Sequence, residues 1–206
     1  MTIIAVIILF TLFILGEWVY MQFFEKKGAV EKKAKPTIPV TTERYYHPGH
    51  TWVELKSDDG TAEIGTDSFT RKIMGSIEQI TLPQTGQMVQ QGSPLWTLSH
   101  GTRRLTQISP VSGKVVEVNG PEKNKEGWLV KIKPVDLRRN LNNLLHGDIV
   151  RYWQDWSKTQ FVLKFTDSDI PVYQDGGELR NDVSEIIPDS QWEKIQQEFF
   201  YSTFKK

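Results

Sequence analysis

Four histidines, a pair of adjacent arginines and scattered carboxylates are the residues of this chain with chemistry to offer. His47-Pro-Gly-His50 has a spacing that could supply two metal ligands. No cysteine supports such a site and acidic residues are only scattered nearby, so the expected role is structural, at the start of a strand. His100 and His146 are isolated in sequence. His100 nevertheless lies next to Gly101 and close to Arg103 and Arg104, within Leu98-Ser-His-Gly-Thr-Arg-Arg-Leu-Thr-Gln107. Two arginines side by side on an exposed hairpin could clamp a carboxylate or phosphate of a partner or ligand, because the guanidinium fork matches both anions. The alternative is a solvated turn.

The elements around these residues narrow the choice. The chain has 206 residues, with 25 Lys+Arg against 25 Asp+Glu and no cysteine. Charge balance argues against nucleic acid as a partner, since that requires a basic surplus to release counterions. Without cysteine there are no disulfides, thiolate metal sites or catalytic thiols. Glycine-rich phosphate loops, a Gly-x-Ser-x-Gly elbow and a metal cluster of convincing spacing are all missing from the sequence, so no catalytic residue and no metal ligand is expected, and the chain reads as a non-enzyme.

From Tyr45 to Pro134 short alternating runs are separated by turn residues, the mark of half-buried strands. Thr51-Trp-Val-Glu-Leu and Ala62-Glu-Ile-Gly flank Asp58-Asp-Gly60, a hairpin signal. Ser68–Met74 reads as a short helix ended by Gly75. A weak internal echo relates Gly75-Ser-Ile-Glu-Gln-Ile, ending in Leu95-Trp-Thr-Leu, to Gly113-Lys-Val-Val-Glu-Val, ending in Trp128-Leu-Val-Lys-Ile. Together these predict a mainly β, pseudo-symmetric sandwich rather than a parallel α/β sheet.

The same residues carry a resemblance. His50-Thr-Trp-Val, Leu82-Pro with Gly86 and Gly92, Pro110-Val-Ser-Gly-Lys-Val-Val-Glu-Val-Asn119 and Glu126-Gly-Trp-Leu-Val-Lys-Ile-Lys-Pro134 resemble the glycine cleavage system H protein across residues 44–165. The resemblance implies a barrel-sandwich hybrid of the lipoyl-domain type with C-terminal helices. It also implies a hairpin-tip lysine, eight residues before the proline of Pro-Val-Ser-Gly, that carries lipoic acid. Eight residues before Pro110 stands Thr102, and no lysine occurs between Lys72 and Lys114. Threonine has no primary amine and a guanidinium stays protonated, so neither forms a lipoyl amide. No cofactor is therefore expected, and Lys114 is the nearest off-motif candidate for a carrier.

Residues 3–16 read IIAVIILFTLFILG. The 23 residues from Thr2 to Phe24 would span about 34 Å as a helix, enough for a hydrocarbon core of about 30 Å. Trp18, Tyr20, Phe23 and Phe24 fall where an interfacial aromatic belt would lie. Residues 1–24 are accordingly expected to be a retained single-pass anchor in the lipid bilayer. Lys26, Lys27, Lys32, Lys33 and Lys35 follow it, which places the N-terminus outside and the main domain on the cytoplasmic side of an inner or cytoplasmic membrane. Residues 25–43 read as a basic, proline-containing linker.

Leucines at 137, 141, 144 and 145 predict an amphipathic helix over 136–145, closed by Gly147. Asp148 is expected to cap a next helix, with Ile149, Trp153 and Trp156 on one face. Residues 166–206 form an extension in which Asp175-Gly-Gly-Glu-Leu reads as a turn and Ser190-Gln-Trp-Glu193 as a capping box. Trp192, Phe199 and Phe200 on this last helix either cover the sandwich or dock to a partner, and partner contact is the expected role. The function expected is that of a non-catalytic subunit of a membrane protein complex, electron-transfer assemblies among the candidates. A lipoyl-type carrier using another lysine and an anion-sensing module reading through Arg103 and Arg104 are the alternatives.

Overall fold

The computed structural model describes residues 44–56, 58–120, 127–166, 168, 170–174 and 178–201. The apolar run 3–16 and the linker 25–43 lie outside them. Among the described residues no helix is long and apolar enough to cross a membrane.

The alternating runs form two antiparallel sheets. The larger has the order β1 (Tyr45–Tyr46), β2 (Thr51–Leu55), β3 (Ala62–Thr66), β9 (Trp128–Pro134), β8 (Gly113–Val118), β5 (Met88–Val89). The smaller runs β4 (Gln79–Thr81), β6 (Pro94–His100), β7 (Arg103–Ile108). Both halves of the sequence echo are antiparallel pairs, β4 with β6 and β8 with β9. Val53, Ile64, Val115, Val130 and Ile132 from the larger sheet, with Leu98 and Leu105 from the smaller, are fully buried. Burial of such side chains contributes about 1.5–3 kcal/mol each. Polar side chains tie the sheets together inside this core. Thr51 Oγ1 donates to the Ile108 carbonyl (3.0 Å), and Gln107 Nε2 donates to the His50 carbonyl (2.9 Å). Trp52 stands opposite Gly65, and a Cβ on that glycine would come within 2.3 Å of the indole.

Helix α1 (Ser68–Met74) begins at Asp67, whose Oδ1 accepts from the Thr70 backbone N–H (2.9 Å) and from its hydroxyl (3.0 Å). Asp67 Oδ2 is hydrogen-bonded to His50 Nδ1 at 2.6 Å. The His50 ring is stacked between Phe69 (centroids 4.3 Å apart) and Trp153 (4.7 Å). His47 and His50 are thus parts of the core, and among the described residues no three His, Asp or Glu side chains come together in a way that could hold a metal.

The helix predicted over 136–145 is shorter: α2 spans Leu137–Leu141. The chain beyond it is committed elsewhere. The buried Asn140 side chain accepts from the Ser112 N–H (2.7 Å), and Leu145 exchanges backbone hydrogen bonds with Tyr46 (2.8 Å each) rather than continuing the helix. Helix α3 (Asp148–Leu163) follows Gly147, and the Asp148 side chain makes no cap hydrogen bond, lying instead in the first turn where the helix dipole favours it. The face carrying Ile149, Trp153 and Trp156 is split. Ser157 and Phe161 are buried and Trp153 stacks on His50, whereas Ile149 and Trp156 face outward together with Tyr152.

Beyond α3, β10 (Tyr173–Gln174) pairs with β11 (Glu178–Leu179), and the turn residues 175–177 lie outside the described residues. Helices α4 (Val183–Ile186) and α5 (Asp189–Ile195) follow, and α5 widens into a π-helical turn over Gln196–Phe200. The Ser190 capping box does not form, because the helix starts two residues earlier, with Pro188 at the N-cap, and the Trp192 N–H bonds the Pro188 carbonyl (3.0 Å). Trp192, Phe199 and Phe200, expected as partner contacts, are buried in their own domain. Phe199 and Phe200 pack on Phe69, with centroids at 5.8 and 6.0 Å, and Gly49 leaves room for the Phe200 carbonyl.

Two predictions follow from this packing. Asp67→Ala removes a helix cap, worth about 1 kcal/mol, and strands the buried His50 nitrogen, worth about 1–3 kcal/mol. Urea denaturation of the full chain in detergent should show a loss of about 2–4 kcal/mol. Burial, helped by the charge of His50, lowers the His47 pKa to about 4, in keeping with its Nδ1 accepting from the Gly49 N–H (2.9 Å). The unfolded chain therefore binds a proton that the folded one refuses between about pH 6.5 and 4, and stability falls on acidification through that window. His47→Asn, which keeps an acceptor for Gly49, should remove up to about 1.4 kcal/mol per pH unit of that slope.

Candidate functional site

The β6–β7 hairpin is rigid at its root. Thr97 and Thr106 hydroxyls meet across the strands (3.0 Å), Trp96 Nε1 donates to Gln107 Oε1 (2.9 Å), and Leu98 and Leu105 are fully buried. Its turn is Gly101-Thr102, between the paired residues His100 and Arg103. Gly101 has φ +54°, the left-handed value that the first position of a tight primed turn requires. Its N–H donates to Glu78 Oε2 (3.1 Å). Thr102 and Arg104 are exposed at the tip.

The C-terminal extension closes over one side of this tip. Arg103 forms an ion pair with Asp189, its Nη2 donates to the Ile187 carbonyl (2.5 Å), and only 13% of its side chain is exposed. His100 Nε2 lies 2.6 Å from Glu185 Oε1. Trp192 Nε1 donates to the Arg104 carbonyl (3.1 Å), so α5 covers the backbone of β7. The far end of the clasp is fixed on α1. The Asp182 N–H donates to the Lys72 carbonyl (3.0 Å), and Asp182 Oδ1 accepts from the Ser76 N–H (3.1 Å). Gly75, at φ +66°, is required here twice over, because a Cβ would collide with the Asp182 carboxylate.

The structure therefore brings His100 and Arg103 together but gives both an internal partner. Of the two readings of the arginine pair, a clamp or a solvated turn, the structure matches neither fully: Arg103 spends its fork on Asp189 and Ile187, and Arg104 alone of the two presents an exposed guanidinium. Sequence reasoning did not find Asp182, Glu185 and Asp189. Their signal is acidic residues three and four apart in the extension, facing a basic hairpin, but about eighty residues separate the two.

Burial alone would lower the His100 pKa, yet the hydrogen bond and charge of Glu185, with the Ser76 backbone and Glu78, hold it above its ordinary value of 6.5. A raised pKa means that this contact is at full strength below about pH 6.5 and weakens as pH rises through the folded value.

A sandwich of two antiparallel sheets, carrying a two-residue hairpin and followed by helices, defines a mainly β domain of the H-protein-like type. The chain belongs to the glycine cleavage H-protein family, whose profile matches residues 44–155. The probable glycine cleavage system H protein of Pyrococcus furiosus is 34% identical over 110 residues, covering 49% of this chain and 81% of that protein. The glycine cleavage system H protein of Coxiella burnetii is 29% identical over 116 residues, covering 52% and 88%. Among solved structures, the glycine cleavage system H protein of Mycobacterium marinum is 24% identical, with a TM-score of 0.41, covering 47% of this chain and 87% of that one. The family match ends inside α3, so the clasp lies beyond it.

The lipoyl group implied by the resemblance does not fit the hairpin. An acyl amide needs a primary amine, and β6, the turn and β7 contain no lysine. Lys72 lies on α1, 3.6 Å from Glu178, and Lys114 lies on β8 opposite Met88 and Lys133, in the other sheet.

Removing the Arg103 fork should open the clasp without unfolding the sandwich. In Arg103→Ala, amide exchange in 182–195, corrected for intrinsic rate, should rise about tenfold, matching about 1.5 kcal/mol for a charged hydrogen bond. In the unmodified chain the same amides should lose protection as pH rises through the His100 pKa, and exchange that ignored both changes would refute the clasp.

Proposed function

We propose that this H-protein-family chain is a non-catalytic, single-pass membrane subunit that works as a structural or assembly component of a larger complex. One observation carries the reading: the hairpin that in the resembled family bears the lipoyl lysine has Thr102 at its tip and is held by Arg103, His100 and Trp192 against the chain's own extension. A swinging carrier needs a primary amine and freedom at its tip. Here the residue type removes the first and the clasp reduces the second.

The apolar run 3–16 and the lysines after it support an anchor with the N-terminus outside and the family domain on the cytoplasmic side of an inner or cytoplasmic membrane. The partners are then other subunits of a membrane complex, reached through the hairpin's exposed side, and electron-transfer complexes are within this reading. The family resemblance leaves a second reading, a carrier acylated on a lysine outside the hairpin.

One experiment separates the two. The tagged full chain is extracted gently from its native membrane, its intact mass is read, and the co-purifying chains are identified. An unmodified mass within a stable assembly is expected. A lipoyl increment on any lysine, or recovery with glycine-decarboxylating partners, would overturn the structural reading.

A further inference from the structure

The outward face of α3 is the largest run of apolar surface on a single described element. Ile149, Tyr152, Trp156 and Leu163 are 52, 63, 58 and 57% exposed. Their spacing of three, four and seven residues keeps them on one stripe, which is about 21 Å long at 1.5 Å per residue. A soluble domain rarely leaves so many large side chains in water on one helix without an occupant for them. We propose that this stripe lies in the lipid–water interface of the membrane that holds the N-terminal segment, so that α3 rests along the bilayer surface.

This rests on the anchor reading given above, and two further observations favour lipid as the occupant. The first is where the chain enters the domain. Tyr46 exchanges backbone hydrogen bonds with Leu145 (2.8 Å each), and the Tyr45 ring lies 5.2 Å from that of His146. The linker 25–43 therefore joins the domain beside the N-terminal end of α3. Its 19 residues reach at most about 65 Å even when fully extended, so this end of the domain is tethered to the bilayer. The second is composition. Tyr152 and Trp156 combine a large apolar ring with a polar tip, the chemistry enriched at headgroup level, while Ile149 and Leu163 supply purely apolar area at either end. The Asp155 carboxylate beside the stripe is 3.8 Å from Lys158 Nζ, which moderates its repulsion of anionic headgroups.

The cysteine-free chain makes the test direct. Single-cysteine versions of the full chain, Ile149→Cys, Tyr152→Cys and Trp156→Cys, with Asp58→Cys on the exposed β2–β3 loop as reference, carry nitroxide labels in vesicles of phosphatidylcholine and phosphatidylglycerol. Because the stripe is solvent-facing, these changes leave the core intact. The proposal expects the ratio of oxygen to water-soluble nickel-chelate accessibility to be several-fold higher at 149, 152 and 156 than at 58. Ratios equal to that at 58 overturn it. Dipolar coupling between labels on different molecules, with no lipid exposure, overturns it in favour of contact between two copies. Vesicle flotation after alkaline extraction separates the two layers: a chain that washes off refutes the anchor and this contact together, and one that stays bound with water-exposed labels refutes this contact alone.

Discussion

The buried hydrogen bond between His50 and Asp67 is the constraint on which the rest of the domain depends. Both side chains are 1% exposed, so neither has water as an alternative partner. Asp67 divides its carboxylate between the His50 ring and the first turn of α1, and so fixes the helix against the strand start. The His50 backbone carbonyl accepts from Gln107 on β7, which reaches the smaller sheet. The ring itself is stacked between Phe69 and Trp153 and touches Phe200 at 5.5 Å. One residue, through its ring and its backbone, thus joins two sheets, two helices and the C-terminal turn. A buried polar group of this kind is expensive when unpaired, which makes the arrangement specific as well as stable.

How much of this could be read from the sequence depends on the range of the interactions. Asp58-Asp-Gly60, Ser68–Met74 with Gly75, and the alternating runs through Pro134 are local signals, and each forms the predicted element. The leucines after Asp136 overstate the helix because periodicity ignores a distant backbone obligation: Leu145 pairs with Tyr46. The α3 face shows the same limit. Ile149, Trp153 and Trp156 do neighbour one another on a helix, but the domain covers only the Trp153–Phe161 side.

The hairpin shows the same limit at the candidate site. Its place, its glycine and the threonine at its tip were legible. That Arg103 would be neutralised by Asp189, and His100 joined to Glu185, depends on a segment more than eighty residues later whose approach is set by Asp182 on α1. The aromatic residues of that segment were identified correctly as belonging to one helix. They fill the domain's own surface because Phe69, Phe161 and His50 already form an aromatic floor there.

The position of the clasp in the chain orders events during synthesis. The strands of both sheets, α1 and the hairpin are complete by Pro134, whereas Asp182, Glu185, Asp189 and Trp192 lie later in the chain. Domains form progressively as the chain leaves the ribosome, N-terminal parts first. The hairpin is therefore made before the segment that closes it exists. A nascent chain passes through an interval in which Arg103 and the β7 edge are open, and the arrival of that segment ends the interval without any external signal.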